Sequence, residues 1–182
     1  MNMKFTFLNI MAAALLAAGA STVSAQTNDA QGQLSSRDYK FARAALVGGN
    51  MEVQLGQIAS QNAQDPAVRD FGNKMVQDHT AANQQLTLII AQKGATISDG
   101  PGWMDQKMVD HLQGLKGSDF DKAYMKRMVS DHKDDIKEFQ KEADNGDDAD
   151  VKNFASKTLP TLQEHLRLAQ ETQAKLSSSA SK

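Results

Sequence analysis

The chain has 182 residues, with 20 basic and 22 acidic side chains, four histidines and no cysteine. A formal net charge of −2 with no basic stripe argues against a nucleic-acid partner. Without cysteine there can be no disulfide, lipid-attachment thiol or thiolate metal site.

The chain opens with MNMKFTFLNIMAAALLAAGASTVSAQ: Lys4, an apolar run from Phe5 to about Ala20, then small residues ending in Val23-Ser24-Ala25. This three-part pattern predicts a secretory signal peptide cleaved after Ala25, and so a periplasmic protein. The apolar run is shorter than the roughly 18 residues of a spanning helix, and polar QTNDAQGQ follows it. No integral membrane segment is expected after cleavage. Residues 26–36 and 177–182 are small and polar and read as a disordered linker and tail, which leaves 37–176 as one domain.

Long segments with apolar residues at three- and four-residue spacing predict helix throughout. The first long helix runs from about Asp38 to Asn62. The second opens at DPAVRDF, with Asp65 as N-cap and Pro66 in the first helical position, making a tight hairpin. A long connection, Gly94 to Ser118, contains DGPG and a short amphipathic stretch, Trp103 to Leu115, with Met104, Met108, Leu112 and Leu115 on one side. The third long helix runs from about Asp119 to Asp144 and stops at Asn145-Gly146. Asp147, Asp148 and Asp150 suit the positive N-terminus of the fourth, which continues to about Leu176.

The acidic run DNGDDAD lacks the ligand alternation and distal glutamate of an EF-hand loop, so capping accounts for it. DPAVRDFGNKMV opening the second helix lines up with DADVKNFASKTL opening the fourth, as a duplicated hairpin would. The expected fold is all-α: a ferritin-like four-helix bundle of two helical hairpins, joined by a long crossover that carries a short helix.

One phrase occurs twice, KMVQDH ending on His79 and RMVSDH ending on His132. His79 falls on the stripe of Val68, Phe71, Met75, Ala82, Leu86 and Ile89. His132 falls on that of Tyr124, Met128, Ile136, Phe139 and Ala143. His165 lies between Leu162 and Ala169 on the inward face of the fourth helix. Glu52 completes the first helix's stripe of Ala45, Leu55 and Ala59.

Glu52 and His79 stand 13 and 14 residues from Asp65, and His132 and His165 stand 16 and 17 from Asp148. At about 1.5 Å per residue, all four meet near the middle of the bundle. Four buried ionisable groups need a shared explanation. One glutamate with three imidazoles suits zinc, iron, manganese or copper, so Glu52, His79, His132 and His165 are the candidate metal ligands.

The neighbouring residues have plainer readings. Asp78, Asp131 and Glu164 each precede a histidine and point about 100° away from it. They read as solvated charges, or as acceptors that orient a histidine of a neighbouring helix. Met75 and Met128 are core filler or thioether ligands for copper(I). Tyr124 is a redox neighbour or a packed aromatic with a bonded hydroxyl. Gly48, Gly49 and Gly56, flanking Glu52, admit either a close helix or a ligand.

The segments GGNMEVQLGQIA, FGNKMVQDHTAAN, FDKAYMKRMVSDH and LPTLQEHL resemble the domain-of-unknown-function 4142 family of exported bacterial proteins, grouped with the ferritin-like superfamily. The resemblance covers nearly all of the mature chain and implies the fold and export. The outer-membrane label often attached to that family has no counterpart here, since nothing alternates as a barrel strand must. Ferritin-like di-iron enzymes place glutamate three residues before a ligand histidine, whereas here Val76, Val129 and Leu162 stand there.

The expected function is therefore a periplasmic bundle that binds one transition-metal ion in a stress or metal-handling role. The alternative is a metal-free interaction or stress-protection module with a buried Glu-His hydrogen-bond cluster. An enzyme ranks third, since no nucleophile with a base and no phosphate loop are visible. No catalytic residue is assigned.

Overall fold

A computed structural model describes residues 33–98 and 103–179, with the side chains of 103–105 and 179 outside the described set. The predicted signal peptide, the DGPG segment and the Met104 side chain lie outside the described residues. Five helices follow in chain order: α1 (Ser36–Asn62), α2 (Pro66–Gln92), α3 (Trp103–Gly114), α4 (Gly117–Asn145) and α5 (Ala149–Ser179). No strand occurs among the described residues.

Local chemistry sets the helix ends. Ser35 caps α1, accepting from the Asp38 N–H at 3.2 Å and donating its hydroxyl to the Asp38 carboxylate at 2.9 Å. Asp65 caps α2 by accepting from Ala67 N–H at 2.8 Å, with Pro66 in the first turn. Asp148 caps α5 by accepting from the N–H groups of Asp150 and Val151. Gly117 opens α4 at φ +61°, a left-handed conformation that favours glycine. Three of the DNGDDAD carboxylates are occupied by this cap and by cations: Asp148 and Asp150 hold Lys93 at 2.9 and 2.7 Å, and Asp147 faces Arg37; Asp144 accepts from the Gln140 amide at 3.0 Å.

Two ends differ from expectation. Helix α1 begins at Ser36, inside the segment read as linker, because Ser35 is its cap. Helix α5 runs to Ser179, into the segment read as a disordered tail. Leu176 packs on the core, and the Ser177 and Ser178 hydroxyls bond back to the carbonyls of Gln173 and Lys175.

Helices α1 and α2 form one hairpin and α4 and α5 the other; α1 packs against α4, and α2 against α5. The crossover helix α3 lies on α1 and α4, burying Val109 and Leu112, with Met108 and Leu115 partly buried beside them. Two buried aspartates fix the directions. Asp121, near the start of α4, accepts from Gln64 and Asp65 N–H in the α1–α2 turn at 3.0 and 2.9 Å. Asp38, near the start of α1, accepts from Asp147 and Asp148 N–H in the α4–α5 turn at 2.9 and 3.0 Å. Each hairpin's first helix thus holds the other hairpin's turn, so every pair of neighbouring long helices is antiparallel. A shift of 83 residues carries Asp38 onto Asp121, Asp65 onto Asp148 and Phe71 onto Phe154, the register of an internal duplication.

The apolar core falls into two clusters. One gathers Leu55, Phe71, Met75, Phe120, Tyr124 and Met128. The other gathers Phe41, Leu46, Leu86, Phe139, Phe154 and Leu162. On α2 the deeply buried residue is Ile90 rather than Ile89. Between the clusters, each long helix carries at least one ionisable group inward.

Helices α1 and α2 come closest at Gly56 and Gly72. A Cβ on Gly56 would lie 2.5 Å from the Gly72 carbonyl oxygen, whereas one on Gly48 would meet nothing within 4 Å. Gly56 therefore serves close helix packing, and Gly48 serves neither role. Gly56→Ala is expected to cost about 2 kcal/mol in urea denaturation because backbone must move. Gly48→Ala is expected to stabilise by about 0.5–1 kcal/mol through helix propensity alone.

Candidate metal centre

Glu52 from α1, His79 from α2, His132 from α4 and His165 from α5 converge in the layer between the two apolar clusters, all nearly inaccessible to solvent. The three imidazole centroids lie 5.2–5.8 Å apart. One ring nitrogen from each of His79, His132 and His165 falls within 4.8 Å of the other two. Glu52 stands beside this group. Its Oε2 is 2.9 Å from His79 Nε2 and its Oε1 is 3.3 Å from His132 Nδ1. The fourth histidine, His111, is exposed on α3 and takes no part.

Hydrogen bonding fixes which nitrogens carry protons. His132 Nδ1 lies 2.9 Å from the Met128 carbonyl oxygen, an obligate acceptor, so it carries a hydrogen and Nε2 is left with a bare lone pair. His165 Nε2 lies 2.8 Å from the Asp78 carboxylate, so it too is the donor, and Nδ1 is bare. The two bare nitrogens, His132 Nε2 and His165 Nδ1, face each other at 3.2 Å. In the neutral state that contact is two lone pairs without a proton between them. Two further buried atoms, His79 Nε2 and Glu52 Oε1, have no hydrogen bond of acceptable geometry despite their close approaches.

Burial alone would raise the Glu52 carboxyl, but the His79 and His132 imidazoles outweigh it and hold the group at about 2. Burial works against a charge on His79 as well, yet the facing Glu52 carboxylate wins and raises it above the ordinary histidine value. Burial pushes His132 down, with Glu52 opposing and His79 adding repulsion. It pushes His165 down to about 4 against the pull of Asp78, helped by the neighbouring imidazoles. At neutral pH, then, His132 and His165 are neutral and Glu52 is charged, and His79, raised by that carboxylate, is the imidazole that most readily takes a proton and forms a buried ion pair with it.

Of the three carboxylates that precede a candidate ligand histidine, only Asp78 reaches an imidazole, and it belongs to a neighbouring helix as a carboxylate that orients a ligand must. Lys74 pairs with the same Asp78 oxygen at 2.9 Å. Asp131 instead pairs with Arg127, and burial raises it to about 6. Glu164 is exposed and pairs with Arg167. Asp135, on α4 and lining the same small cavity as Glu52 and His79, was not marked by the sequence reading; burial and the Glu52 charge raise it well above the carboxylate range. Its signal is the 83-residue register, which pairs it with Glu52.

Met75 and Met128 are fully buried in the cluster that holds Leu55, Phe71 and Phe120, and Met128 serves His132 through its carbonyl oxygen. Tyr124 stacks on Phe120 at 5.4 Å, but its hydroxyl is buried without a hydrogen-bond partner, contrary to the bonded hydroxyl expected.

Fold and centre together define an all-helical, ferritin-like bundle with a buried histidine-glutamate cluster. The chain belongs to the domain-of-unknown-function family DUF4142, whose model matches residues 23–172. It is similar in fold to two crystal structures. One is a DUF305 fragment from Deinococcus radiodurans, with TM-score 0.69 and 12% identity, covering 79% of this chain and 99% of that one. The other is a candidate secreted DUF305 protein from Streptomyces coelicolor, with TM-score 0.68 and 18% identity, covering 78% of this chain and 92% of that one. No curated protein matches the chain. Among the described residues, no helix is long and apolar enough to cross a membrane.

Proposed function

We propose that this protein is an exported, periplasmic bundle that holds one transition-metal ion at His79, His132 and His165, with Glu52 completing or neutralising the set, in a metal-handling or stress role. The leading sequence and the DUF305 neighbour described as a candidate secreted protein support export. The observation that carries the metal reading is the facing pair of bare nitrogens on His132 and His165. Each is oriented by an outer acceptor, and two imidazole nitrogens on one tetrahedral zinc lie about 3.3 Å apart, against 3.2 Å here. The ion would supply positive charge where two lone pairs meet, and it would take up the unpartnered His79 Nε2 or Glu52 Oε1.

Three neutral imidazoles and a carboxylate suit zinc, iron, manganese or copper; the two buried methionines add no donor that distinguishes copper(I). A metal-free module is the second reading. It is favoured by one feature: every imidazole already has a close protein neighbour, Glu52, the Met128 carbonyl or Asp78.

Elemental analysis of protein isolated from the periplasm, followed by titration of chelator-treated protein with zinc, iron(II), manganese and copper, separates the two. The metal reading expects one equivalent bound and a higher melting midpoint, as a ligand of the folded state alone produces. Protein that is metal-free as isolated and whose melting none of the four ions alters would overturn it.

A further inference from the structure

The centre is closed on most sides, and its least covered face points in one direction. His132 and His165 side chains are 0% and 1% exposed, whereas His79 is 9% exposed and Asp78 22%. These last two, with the edge of His165, line a groove of about 560 Å³ between α2 and α5. Ala81 and Gln85 form its α2 wall, and Thr158 and Thr161 its α5 wall. Helix α5 carries Pro160 in its interior, and Pro160 lines the same groove. A proline there removes the helical hydrogen bond to the Ser156 carbonyl and crowds it, which makes that turn the place where α5 bends most readily.

We infer that the metal ion reaches and leaves the three histidines through the α2–α5 groove, with α5 flexing at Pro160 and with Glu164 and Asp78 as the carboxylates along the way. This rests on the metal reading above and adds the route and the moving part. Asp78 suits the task because its carboxylate is partly exposed and is shared by Lys74 and His165, so an ion that takes the place of Lys74 arrives at the His165 ring, whose far nitrogen Nδ1 is the proposed ligand. The groove between α1 and α4, about 380 Å³ and floored by Asp135, is the competing route. It touches none of the three histidines.

Cobalt(II), whose visible absorption reports imidazole ligation, serves as the probe for uptake by chelator-treated protein and for release to excess chelator. The double variant Ala81→Trp with Thr161→Trp fills the groove from both walls. It is expected to slow uptake at least tenfold while the equilibrium affinity stays within threefold of the parent. Ala44→Trp, filling the α1–α4 groove, is expected to leave both rates unchanged. Pro160→Ala restores a helical bond, so it folds even where the tryptophan pair does not, and it is expected to slow uptake and release alike.

Parent-like rates in both the tryptophan pair and Pro160→Ala would overturn the route, as would slowing confined to Ala44→Trp. A parent protein that binds no cobalt at equilibrium is a different failure: it removes the metal reading itself, and the route with it.

Discussion

Replacing His132 with alanine is expected to weaken metal binding by about 10³-fold, the equivalent of about 4 kcal/mol, as measured by competition against a chromophoric chelator. His132 has both ring nitrogens committed and is wholly buried. Nδ1 donates to the Met128 carbonyl, and Nε2 is held bare toward His165. Its removal leaves two imidazoles and a polar void in a layer that lies between two apolar clusters.

Asp78→Asn tests the orientation argument without touching a proposed ligand. The amide can still accept from His165 Nε2, but it no longer carries the charge that makes the far nitrogen a stronger donor. Losses of 10- to 100-fold are typical when such an outer partner is changed, and that range is expected here. An Asp78→Asn variant of unchanged affinity, beside a His132→Ala variant that binds nothing, would show that the Asp78 contact serves packing only. A His132→Ala variant that binds one equivalent with parent affinity would place the metal elsewhere.

The convergence of Glu52, His79, His132 and His165 was legible because each residue sits on its own helix's apolar stripe. Counting residues from Asp65 and Asp148 measures depth directly, since the helices are unbroken between turn and centre. The split between three clustered nitrogens and an adjacent carboxylate was not legible, because it depends on ring rotation and on which face of Glu52 meets which imidazole. The partner of Asp78 was hidden for a related reason: it lies on α5, and only the spacing of α2 against α5 brings the two together.

The paired aspartates, Asp38 and Asp121, were within reach of the sequence. They stand 83 residues apart, in the same register as Asp65 and Asp148. The repeated KMVQDH and RMVSDH phrase stands at 53 residues instead and has another meaning. It lies on α2 and α4, which are diagonal across the bundle rather than duplicates, so the two phrases aim two histidines at one point from opposite corners. Under the 83-residue shift the three histidines correspond to Leu162, Gly49 and Ala82, and only Glu52 keeps an acidic counterpart, Asp135. The duplicated scaffold therefore carries three imidazoles that the duplication does not repeat. That asymmetry favours a single ion over the paired carboxylate-bridged ions of di-iron bundles.

Glu52→Gln is expected to lower the stability of the chelator-treated protein by about 3–5 kcal/mol, the usual consequence of removing one partner of a buried ion pair. At a size of roughly 150 residues this corresponds to a fall of about 10 °C in melting midpoint. The pH dependence identifies the cause. Glu52 is held at about 2 in the folded protein, so its contribution is present above the unfolded glutamate value near 4.5 and is lost as pH falls toward 2. His79 is raised, so its contribution is complete below the unfolded histidine value near 6.5 and is lost as pH rises through its folded value.

The stability gap between parent and Glu52→Gln should therefore be widest between about pH 4.5 and 6.5 and should narrow on both sides. Denaturant titrations at pH 4, 5.5, 7 and 8.5 in the presence of chelator trace that profile. A gap of constant width would mean that the glutamate acts by shape alone. A gap that appears only when metal is present would mean that its charge is needed for the ion and not for the fold.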